Sequence, residues 1–569
     1  MADTVKRKDL DRRLGELKNE RESWMHHWQE ISRYILPRSG RYFLTDRNKG
    51  QRRHNNILDR TGSGALNALA SGMMSGMTSP ARPWLRFATP DKDLMKSVAV
   101  KVWLADVADI ILTIFARGNT YRALHQIYKE LGAFGTAASV LLDDFHDVQR
   151  NYTLTAGEFC IAQDWRGETC TLYREFEKTV GEIVKEFGLS NCSSTVQAMF
   201  NCGTLDAWVP LVQAIEPRED RDQTKRDSIN MPWRSIYYER GSNNDKFLRE
   251  SGFKEFPALA PRWDVSGGDI YGNSPAMEAL GDVKQLQQEQ FRKSQGIDYM
   301  TKPPIALPAG MKNREVDGLP GGTTYFDGPM PSRSSNLFDV NLNLNDLMLD
   351  IQDVRGRINS AFFADLFLMI SNNSDPNMTA TEVAARQEEK MLMLGPVIER
   401  MTDELLNPLV QGCFHRALAA GMLPPPPPEL HGAQIDIEYV SVLAQAQRAI
   451  GVNSIDRFVG NLGQIAAFKP GVLDKFDSDT WADRYSDLLG VPPDLIVADD
   501  KVALLRKARA QQASQAQGAA QANQNADTAQ KLANTPMNDN TALASLVSRG
   551  GLVQTSHPGG PLAGSTGYN

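Results

Sequence analysis

The sequence predicts a mainly helical protein whose N-terminal half also contains an antiparallel α+β region. Three observations lead to this fold class. Several long runs carry apolar side chains at steps of three and four, which is the spacing of one helix face. From Val140 to about Arg262 the apolar side chains alternate instead, as they do in strands. Clusters of proline and glycine separate the helical runs, so each run is expected to be an element of its own.

The composition is that of a soluble globular protein with several domains. The chain has 569 residues, of which 41% are hydrophobic and 23% charged, and its net charge of -7 does not require a nucleic-acid partner. The five cysteines are odd in number and include no C-x-x-C pair, which indicates a reducing compartment and argues against zinc. No secretory signal is expected, and the most apolar helix candidate is too short to span a bilayer. We therefore expect synthesis in a cytoplasm and no membrane partner.

The chain is predicted to begin with an amphipathic helix that ends before Pro37. The apolar positions keep a heptad register that is interrupted only at Arg21: Leu10, Leu14, Leu17, Trp24, Trp28, Ile31 and Ile35. Because the repeat stops after about four heptads, packing of this helix on its own domain is favoured over an intermolecular coiled coil.

The next helix candidate, Ile57–Thr78, is dense in small residues and methionine. Its centre reads Gly72-Met73-Met74-Ser75-Gly76. Small residues on one helix face let another backbone approach closely, and methionine fills irregular gaps. Two further helices are predicted at about Lys92–Ala116 and Tyr121–Ala138.

The α+β region is predicted from a hairpin, a capped helix and two further strands. The hairpin pairs Phe159–Ala162 with Thr171–Tyr173 around the turn Asp164–Glu168. The remaining elements are the helix Thr179–Phe187, closed by Gly188, and the strands Ala207–Ile215 and Trp233–Glu239. Together they predict an antiparallel sheet.

Two long helices and the segment between them organise the second half of the chain. Ala276–Tyr299 has a narrow apolar stripe, so we expect it to lie beside copies of itself or to line an aqueous space rather than to pack inside one core. Asn345–Ile370 is predicted as a second helix. The intervening Pro303–Leu344 is too rich in proline and glycine for a helix, although Ile305–Leu307 and Thr323–Phe326 suit short strands.

A polar loop, Asn372–Asn377, separates the second long helix from a third. Thr379-Ala380-Thr381-Glu382 fits a capping box that starts this helix. The helix is expected to bend at Gly395-Pro396 and at Pro408, and to end at Gly421 before five consecutive prolines.

The C-terminal part is predicted to be one strand, short helices and a low-complexity end. The expected elements are the strand Gln434–Val440 and the helices Ser441–Ile450, Ser454–Leu462 and Thr480–Leu489. Residues 511–531 are rich in Ala, Gln and Asn, which suits either a weak helix or disorder, and Arg549–Asn569 is expected to be a mobile tail.

Charge is distributed unevenly. Residues 33–60 carry eight basic side chains against two acidic ones. A solvated arm that pairs with acidic neighbours is favoured over contact with phosphate, and both interpretations are kept. On the second long helix, Asp346, Asp350 and Asp353 recur at steps of four and three and form an acidic ridge.

The sequence contains no motif that predicts catalysis, a cofactor or a metal. It has no Gly-Lys dipeptide and therefore no phosphate-binding P-loop. His26 and His27 are adjacent on a helix, where side chains diverge by about 100° and do not share a metal. Gly272–Ala276 begins like a nucleophile elbow around Ser274, but it lacks the final glycine, and Pro275 removes an amide that an oxyanion hole would use.

This order of elements resembles the portal proteins, or head-to-tail connectors, of short-tailed double-stranded DNA bacteriophages. The most specific piece is the stretch Leu69–Pro80 with its Ser-Gly-Met-Met run, followed by Pro83-Trp84. The hairpin region, the two long helices around a Pro/Gly-rich insert, and the loop before a capped, kinked helix also carry the resemblance, which covers roughly Leu10 to Asp499.

The resemblance implies a portal fold with wing, helical stem, small α/β clip and helical crown, assembled as a ring of usually twelve subunits. The implied divisions are an N-terminal wing (1–275), a first stem helix (276–299), a clip (300–344), a second stem helix (345–368), a tunnel loop (369–378), a kinked wing helix (379–428), a crown (429–510) and a low-complexity tail (511–569). The tail matches no pattern of the family.

The resemblance also implies a role and partners. A nonenzymatic ring at one capsid vertex of the virion would pass double-stranded DNA during packaging and ejection. It would dock the terminase and then a tail adaptor, contact the major capsid and scaffolding proteins, and nucleate capsid assembly. The contact residues that it implies are Asn372, Asn373, Ser374 and Asp375 for DNA in the tunnel loop, Asp346, Asp350 and Asp353 on the channel-facing stem, and Lys312, Arg314 and Arg333 for the adaptor or terminase on the clip.

Three other interpretations are kept. The first is another ring component of the neck or tail, which would lack a crown or a stem. The second is a hydrolase with an unrecognised site at Ser274. The third is a soluble nucleic-acid-binding protein that uses the basic segment Arg38–Arg60. An acidic ridge that faces the channel would repel phosphate and let DNA slide; a solvated or intersubunit-paired ridge is an equally good interpretation.

Overall fold

The fold is taken from a computed structural model of the chain. It describes residues 6–43, 57–91, 93–225, 227–241, 246–302, 305–306, 335–336, 343–371, 394–430, 432–439, 456–466, 468–469, 471, 476–489, 497 and 499–533. The chain divides into a first unit, Met1–Pro493, and a second unit, Asp494–Asn569, and each is described by itself.

Four helices open the first unit. They are α1 (Arg7–Tyr34), α2 (Thr61–Met77), α3 (Val98–Arg117) and α4 (Thr120–Phe134). All four were predicted, but α4 ends earlier than the predicted Ala138. Gly135 follows it in the left-handed region at φ +71°, which closes the helix, and Ala138 already begins a strand.

Among the described residues, the first part of the unit has nine strands, of which β1 lies between α2 and α3 and the others follow α4. They are β1 (Leu85–Ala88), β2 (Ala138–Asp144), β3 (Val148–Leu154), β4 (Phe159–Gln163), β5 (Thr169–Thr179), β6 (Trp208–Pro217), β7 (Trp233–Glu239), β8 (Arg249–Phe253) and β9 (Ala258–Leu259). One sheet has the order β3-β2-β9 and another the order β4-β5-β6-β7-β8, and all these pairs are antiparallel. The predicted hairpin and antiparallel sheet are therefore confirmed.

Two short helices, α5 (Val180–Phe187) and α6 (Ser194–Asn201), lie between β5 and β6. The predicted ends of α5 are confirmed. Thr179 forms a capping box with Glu182 at its start, and Gly188 closes it at φ +83°.

The long helices are α7 (Pro275–Thr301), α8 (Leu344–Ala361) and α9 (Ala364–Ser371). The single helix predicted over Asn345–Ile370 is wrong, because the backbone breaks at Phe362 and Phe363. Phe362 is fully buried, while Phe363 adopts φ +53° and its ring lies 6.3 Å from that of Trp263. Packing of Phe362 in the core and of Phe363 beside Trp263 overrides helical continuity, a tertiary effect that periodicity does not report.

The residues of the predicted clip that the structure describes include one small antiparallel pair. β10 (Ile305–Ala306) pairs with β11 (Ser335–Asn336), with Ile305 opposite Asn336. This agrees with the strand expected near Ile305. The other expected strand, Thr323–Phe326, lies outside the described residues.

The kinked helix is observed as α10 (Gly395–Met401), a π-helical turn (Thr402–Leu406) and α11 (Asn407–Ala419). The predicted irregularity at Pro408 is confirmed, since the π-turn comes just before it and proline lacks the amide of a regular helical hydrogen bond. Gly421 follows at φ +68°. β12 (Asp436–Tyr439) then pairs with β1, so the first residues of the predicted crown range pack on the N-terminal half of the chain.

One large hydrophobic core joins α1 to α4, the three-stranded sheet, the start of α7, α8 and α11. The expectation that α1 packs on its own domain is confirmed, since Leu10, Leu14 and Leu17 cover one face of the five-stranded sheet while Trp28 lies in the large core. The expectation for α7 is wrong for its first half, because Ala276, Leu280 and Val283 are buried in the same core, and for its second half it stays a prediction.

The remaining helices are α12 (Ser478–Leu489) and a helical segment at 456–466 in the first unit, and α13 (Asp499–Ala533) in the second. The Ala/Gln-rich sequence therefore forms a helix, one of its two predicted alternatives. Within the ranges given above, no helix is both long and apolar enough for a membrane span, and no group of acidic, histidine or cysteine side chains is placed to hold a metal.

Candidate functional site

The first long helix is fixed to the core at its N-terminus. The Ser274 hydroxyl accepts a hydrogen bond from the Met277 amide (3.1 Å) and donates one to the Ala133 carbonyl (2.8 Å). Ser274 is 1% exposed, and Pro275 occupies the first helical turn, where its missing amide costs nothing. This serine caps a helix and does not form the nucleophilic site considered for a hydrolase.

Small residues of α2 bring α9 and α7 close to it. A Cβ atom added at Gly72 would lie 2.1 Å from the ring of Phe367 in α9. One added at Gly62 would lie 3.1 Å from Val283 in α7. The prediction that the Gly- and Met-rich segment allows close helix packing is thus confirmed, and the contact with Phe367 explains why Gly72 cannot carry a side chain without a shift of its neighbour.

A polar cluster around Asp59 ties the start of α2 to both long helices. Arg355 of α8 pairs with the Asp59 carboxylate at 2.7 Å, and Gln290 of α7 donates to the same oxygen at 3.2 Å. Gln287 accepts from the backbone amides of Leu58 (2.6 Å) and Asp59 (2.8 Å). Burial alone would raise the pKa of Asp59, but the hydrogen bonds from Thr61 and the Arg355 charge outweigh it and lower the pKa.

α7 and α8 pack antiparallel. Ile351, Val354 and Ile358 of α8 are buried in the same core as Val283 and Leu286 of α7. Near the end of α8, Arg357 pairs with Asp282 close to the start of α7 at 3.0 Å. The two helices therefore form a pair whose base lies in the core.

The ends of this pair away from the core expose apolar side chains. The exposed residues are Phe291, Ile297, Tyr299 and Met300 on α7, and Met348 and Leu349 on α8. Leu349 is 64% exposed and Phe291 is 50% exposed. Large apolar side chains grouped at one end of a helical pair are typical of a surface that another molecule covers.

The predicted acidic ridge lies on the exposed side of α8. Asp346, Asp350 and Asp353 are all exposed. Asp353 pairs with Arg357 at 3.3 Å, and Asp346 accepts a hydrogen bond from the Asn343 side chain at 2.6 Å. The ridge is thus accessible, and among the described residues Asp353 has an ion-pair partner and Asp346 a hydrogen-bond partner.

Several predicted contact residues fall outside the part of the chain that the structure describes. They are Asn372, Asn373, Ser374 and Asp375 of the tunnel loop, Lys312, Arg314 and Arg333 of the clip, and Arg47, Lys49, Arg52 and Arg53 of the basic segment. Of the described basic residues, Arg41 pairs with Glu177 at 3.4 Å, as the interpretation of an arm with acidic neighbours expects.

The sequence did not indicate a buried ion pair between Arg262 and Glu404. Arg262 is 3% exposed, and its guanidinium donates to Glu404 at 2.7 Å and to the Gly167 carbonyl at 2.7 Å. The π-turn carries Glu404 and so positions this carboxylate. In the sequence, Pro408 indicates that the helix is irregular in the turn before it. It does not indicate that Glu404 pairs with Arg262.

Comparison with known proteins identifies the family. The model of the family described as "Bacteriophage head to tail connecting protein" matches residues 7–497. A "Probable portal protein" of Bordetella phage BPP-1 is 57% identical over 95% of this chain and 98% of its own length. The "Portal protein" of Salmonella phage epsilon15 is 46% identical over 97% of this chain and 100% of its own length.

Two solved structures are similar over most of the chain, but only weakly. One is titled "Virion of native gene transfer agent (GTA) particle", at 11% identity, a TM-score of 0.31 and coverage of 82% of this chain and 99% of that one. The other is titled "Neck of empty GTA particle computed with C6 symmetry", at 12% identity, a TM-score of 0.36 and coverage of 80% and 96%. Scores this low carry no argument, so the assignment rests on the sequence relatives. The chain belongs to the bacteriophage head-to-tail connecting proteins and is a portal protein.

Proposed function

We propose that this portal protein forms a closed ring of twelve copies at one vertex of the virion and encloses the channel through which DNA is packaged and ejected. The role is structural and not enzymatic. The observation that carries the proposal is the α7–α8 pair, whose base is buried in the core while its far end exposes Phe291, Tyr299 and Leu349. A contact between two different faces, repeated by rotation, closes into a ring and covers such a surface.

The proposed division follows the sequence. The wing is 1–275, the stem helices are 276–299 and 345–368, the clip is 300–344, the tunnel loop 369–378, the kinked wing helix 379–428, the crown 429–510 and the tail 511–569. The β10–β11 pair beyond α7 supports a small clip. With the stem rooted in the core, the clip would stand at the far end of the ring, where terminase and later a tail adaptor dock through Lys312, Arg314 and Arg333.

The channel is proposed to be lined by acidic and polar side chains. The exposure of Asp346, Asp350 and Asp353 supports this, because carboxylates that face DNA repel phosphate and prevent tight binding. Asn372, Asn373, Ser374 and Asp375 would touch the DNA backbone weakly. The remaining proposed partners are the major capsid and scaffolding proteins, met after synthesis in the host cytoplasm.

The experiment is rotational averaging of particle images of the purified full-length protein, with its mass measured under native conditions. We expect a ring with twelvefold symmetry. Phe291→Ser combined with Leu349→Ser should shift the population to smaller species, because it removes the apolar surface at the end of the helical pair. Leu418→Ser on α11, also an exposed leucine, is the matched control. A wild-type protein that stays monomeric would contradict the proposal.

A further inference from the structure

The turn between β4 and β5 presents a tryptophan to solvent. Trp165 is 87% exposed, and the Arg166 guanidinium lies over its ring at 4.8 Å. The Asp164 carboxylate accepts hydrogen bonds from the amides of Arg166 (2.9 Å) and Glu168 (3.0 Å), which fixes the turn. We call Trp165 and Arg166 the knob.

The buried ion pair of Arg262 and Glu404 supports the turn that carries the knob. Arg262 donates to the Gly167 carbonyl at 2.7 Å and to Glu404 on the π-turn, also at 2.7 Å. Gln163 donates to the Gly268 carbonyl at 3.1 Å. A fixed tryptophan with an arginine beside it loses little conformational freedom on binding, and both residue types dominate the binding energy of protein interfaces.

A pocket of matching chemistry lies elsewhere on the same unit, between α3 and the turn that joins β2 and β3. Its volume is about 340 Å³, and Ile110, Ile114, Val148 and Met422 form its apolar lining. Such a volume is at the lower end of the range for sites that take a small apolar group, about 300–1,000 Å³. The pocket is therefore large enough for an indole ring.

The backbone at this pocket is strained. Val148 adopts φ +67°, a left-handed conformation that is rare for a β-branched residue. Backbone strain of this kind is concentrated at functional sites. Here it shapes the wall of the pocket, since Val148 lines it together with Asp147.

The charges of the knob and the pocket are complementary. The pocket rim carries Asp109 and Asp147, which suit Arg166, and also Arg117, which suits Glu168 at the far side of the turn. His146 lines the same pocket. Arg166 of the knob and Glu168 of the same turn thus each have an opposite charge on the rim.

The knob and the pocket lie near opposite ends of the kinked helix. Glu404 anchors the knob through Arg262, whereas Arg416 pairs with Asp143 of β2 at 2.7 Å, close to the pocket. The twelve residues from Glu404 to Arg416 span roughly 18 Å of helix. Both sites are exposed and this far apart, so one molecule does not fill its own pocket, and the arrangement suits a contact between two copies.

We propose that the knob of one copy inserts Trp165 into the pocket of the next copy, with Arg166 against Asp109 and Asp147. The contact joins two different faces, so repetition by rotation builds a ring. This inference rests on the proposed ring and names one subunit contact within it, on the wing and separate from the long helices.

The first test is cysteine crosslinking of the assembled full-length protein. Glu168→Cys and Thr113→Cys, combined in one chain that also carries Cys170→Ser and Cys202→Ser, place one thiol beside the knob and one in the pocket while Trp165 is kept. A short bismaleimide should give a ladder of dimers, trimers and larger species. Each single cysteine should give none, and Thr113→Cys combined with Trp208→Cys, at another exposed position, is the matched control.

The second test fills the pocket. Thr113 is exposed on α3 and lines the pocket, so Thr113→Trp should fold and raise the protein concentration needed for half-maximal assembly by roughly tenfold or more. Asp106→Trp puts the same side chain two turns away on the exposed side of α3 and should leave assembly unchanged. Circular dichroism of both variants checks that they fold.

The outcomes separate this inference from the proposed function. A wild-type ring that gives no ladder for the cysteine pair, and that assembles normally with Thr113→Trp, would refute the knob contact and leave the ring intact; Trp165 would then face another protein. A wild-type protein that forms no ring would refute the proposed function and the contact together.

Discussion

At the residue scale, a buried glutamate holds together three segments of the first unit. Glu130 of α4 is 2% exposed and accepts hydrogen bonds from the Thr155 hydroxyl (3.0 Å) and the Ala156 amide (3.3 Å). The same hydroxyl accepts from the Gly40 amide at 2.7 Å. The carboxyl therefore links α4, the turn after β3 and the segment that follows α1.

Burial raises the pKa of Glu130 from 4.5 to about 7, and the hydrogen bonds from Ser39, Thr155 and Ala156 oppose this only in part. Since the folded protein binds this proton more tightly than the unfolded chain, the stabilisation is complete below about pH 4.5. It is lost as the pH rises through about 7, which lowers the unfolding free energy by about 3 kcal/mol.

We expect Glu130→Gln, which mimics the neutral carboxyl, to remove most of this pH dependence. The measurement is the unfolding free energy from urea titrations between pH 4.5 and 7.5, for wild type and variant. Glu22→Gln, at a side chain that is 70% exposed, is the control and should keep the wild-type slope. If the unfolding free energy changes with pH equally in wild type and in Glu130→Gln, the carboxyl is ionised throughout this pH range.

At the element scale, α2 offers a matched pair of glycines. A Cβ at Gly72 meets the Phe367 ring at 2.1 Å, whereas one at Gly64 meets nothing within 4 Å. Gly72→Ala must push α9 away and should cost about 1–3 kcal/mol. Gly64→Ala gains helix propensity and should stabilise by about 0.5–1 kcal/mol.

Thermal unfolding followed by circular dichroism measures both changes. If Gly72→Ala lowers the stability and Gly64→Ala raises it, the close approach of α9, and not helix propensity, requires glycine at position 72. Equal effects would mean that Phe367 moves aside freely.

Local signals in the sequence determine some elements of the fold, whereas others depend on residues that are distant in the sequence. Helix periods, turn residues and caps are local signals, so they predicted α1, the β4–β5 hairpin, α5 and the start of α7 near Ser274. The break at Phe363 and the burial of the first half of α7 depend on partners such as Trp263 that are distant in sequence. The Arg262–Glu404 pair could not be predicted for the same reason, since its two residues are 142 positions apart.

The order of the elements and the Ser-Gly-Met-Met run indicated the family in the sequence. They indicated the residues of the candidate site only in part. The Ser-Gly-Met-Met stretch packs against α9 because Gly72 leaves room for Phe367, so this motif serves the packing of the core. The acidic ridge is exposed on α8 as its period predicted. The knob was visible in the sequence only as the turn Asp164–Glu168, because exposure of a tryptophan depends on the whole fold.

At the scale of the whole molecule, the charge of the proposed channel can be tested in the assembled ring. If Asp346, Asp350 and Asp353 face the lumen, twelve copies present a ring of negative charge that repels phosphate. Replacing all three by lysine reverses that charge in every copy. DNA affinity should then increase and fall steeply with salt, because each phosphate contact releases counterions.

At 0.1 M salt, where the Debye length is about 10 Å, we expect the wild-type ring to retain almost no double-stranded DNA. We expect the triple lysine variant to retain it under the same condition. The measurement is fluorescence anisotropy of a labelled linear duplex from low to high salt. Glu16→Lys, Glu22→Lys and Asp9→Lys on exposed positions of α1 make the same change in net charge and form the control.

If both triple variants bind DNA equally, only net charge matters and the ridge does not line the channel. Binding by the α8 variant alone, with closed circular DNA excluded, would place the ridge inside the ring, because only a free end can thread a closed channel.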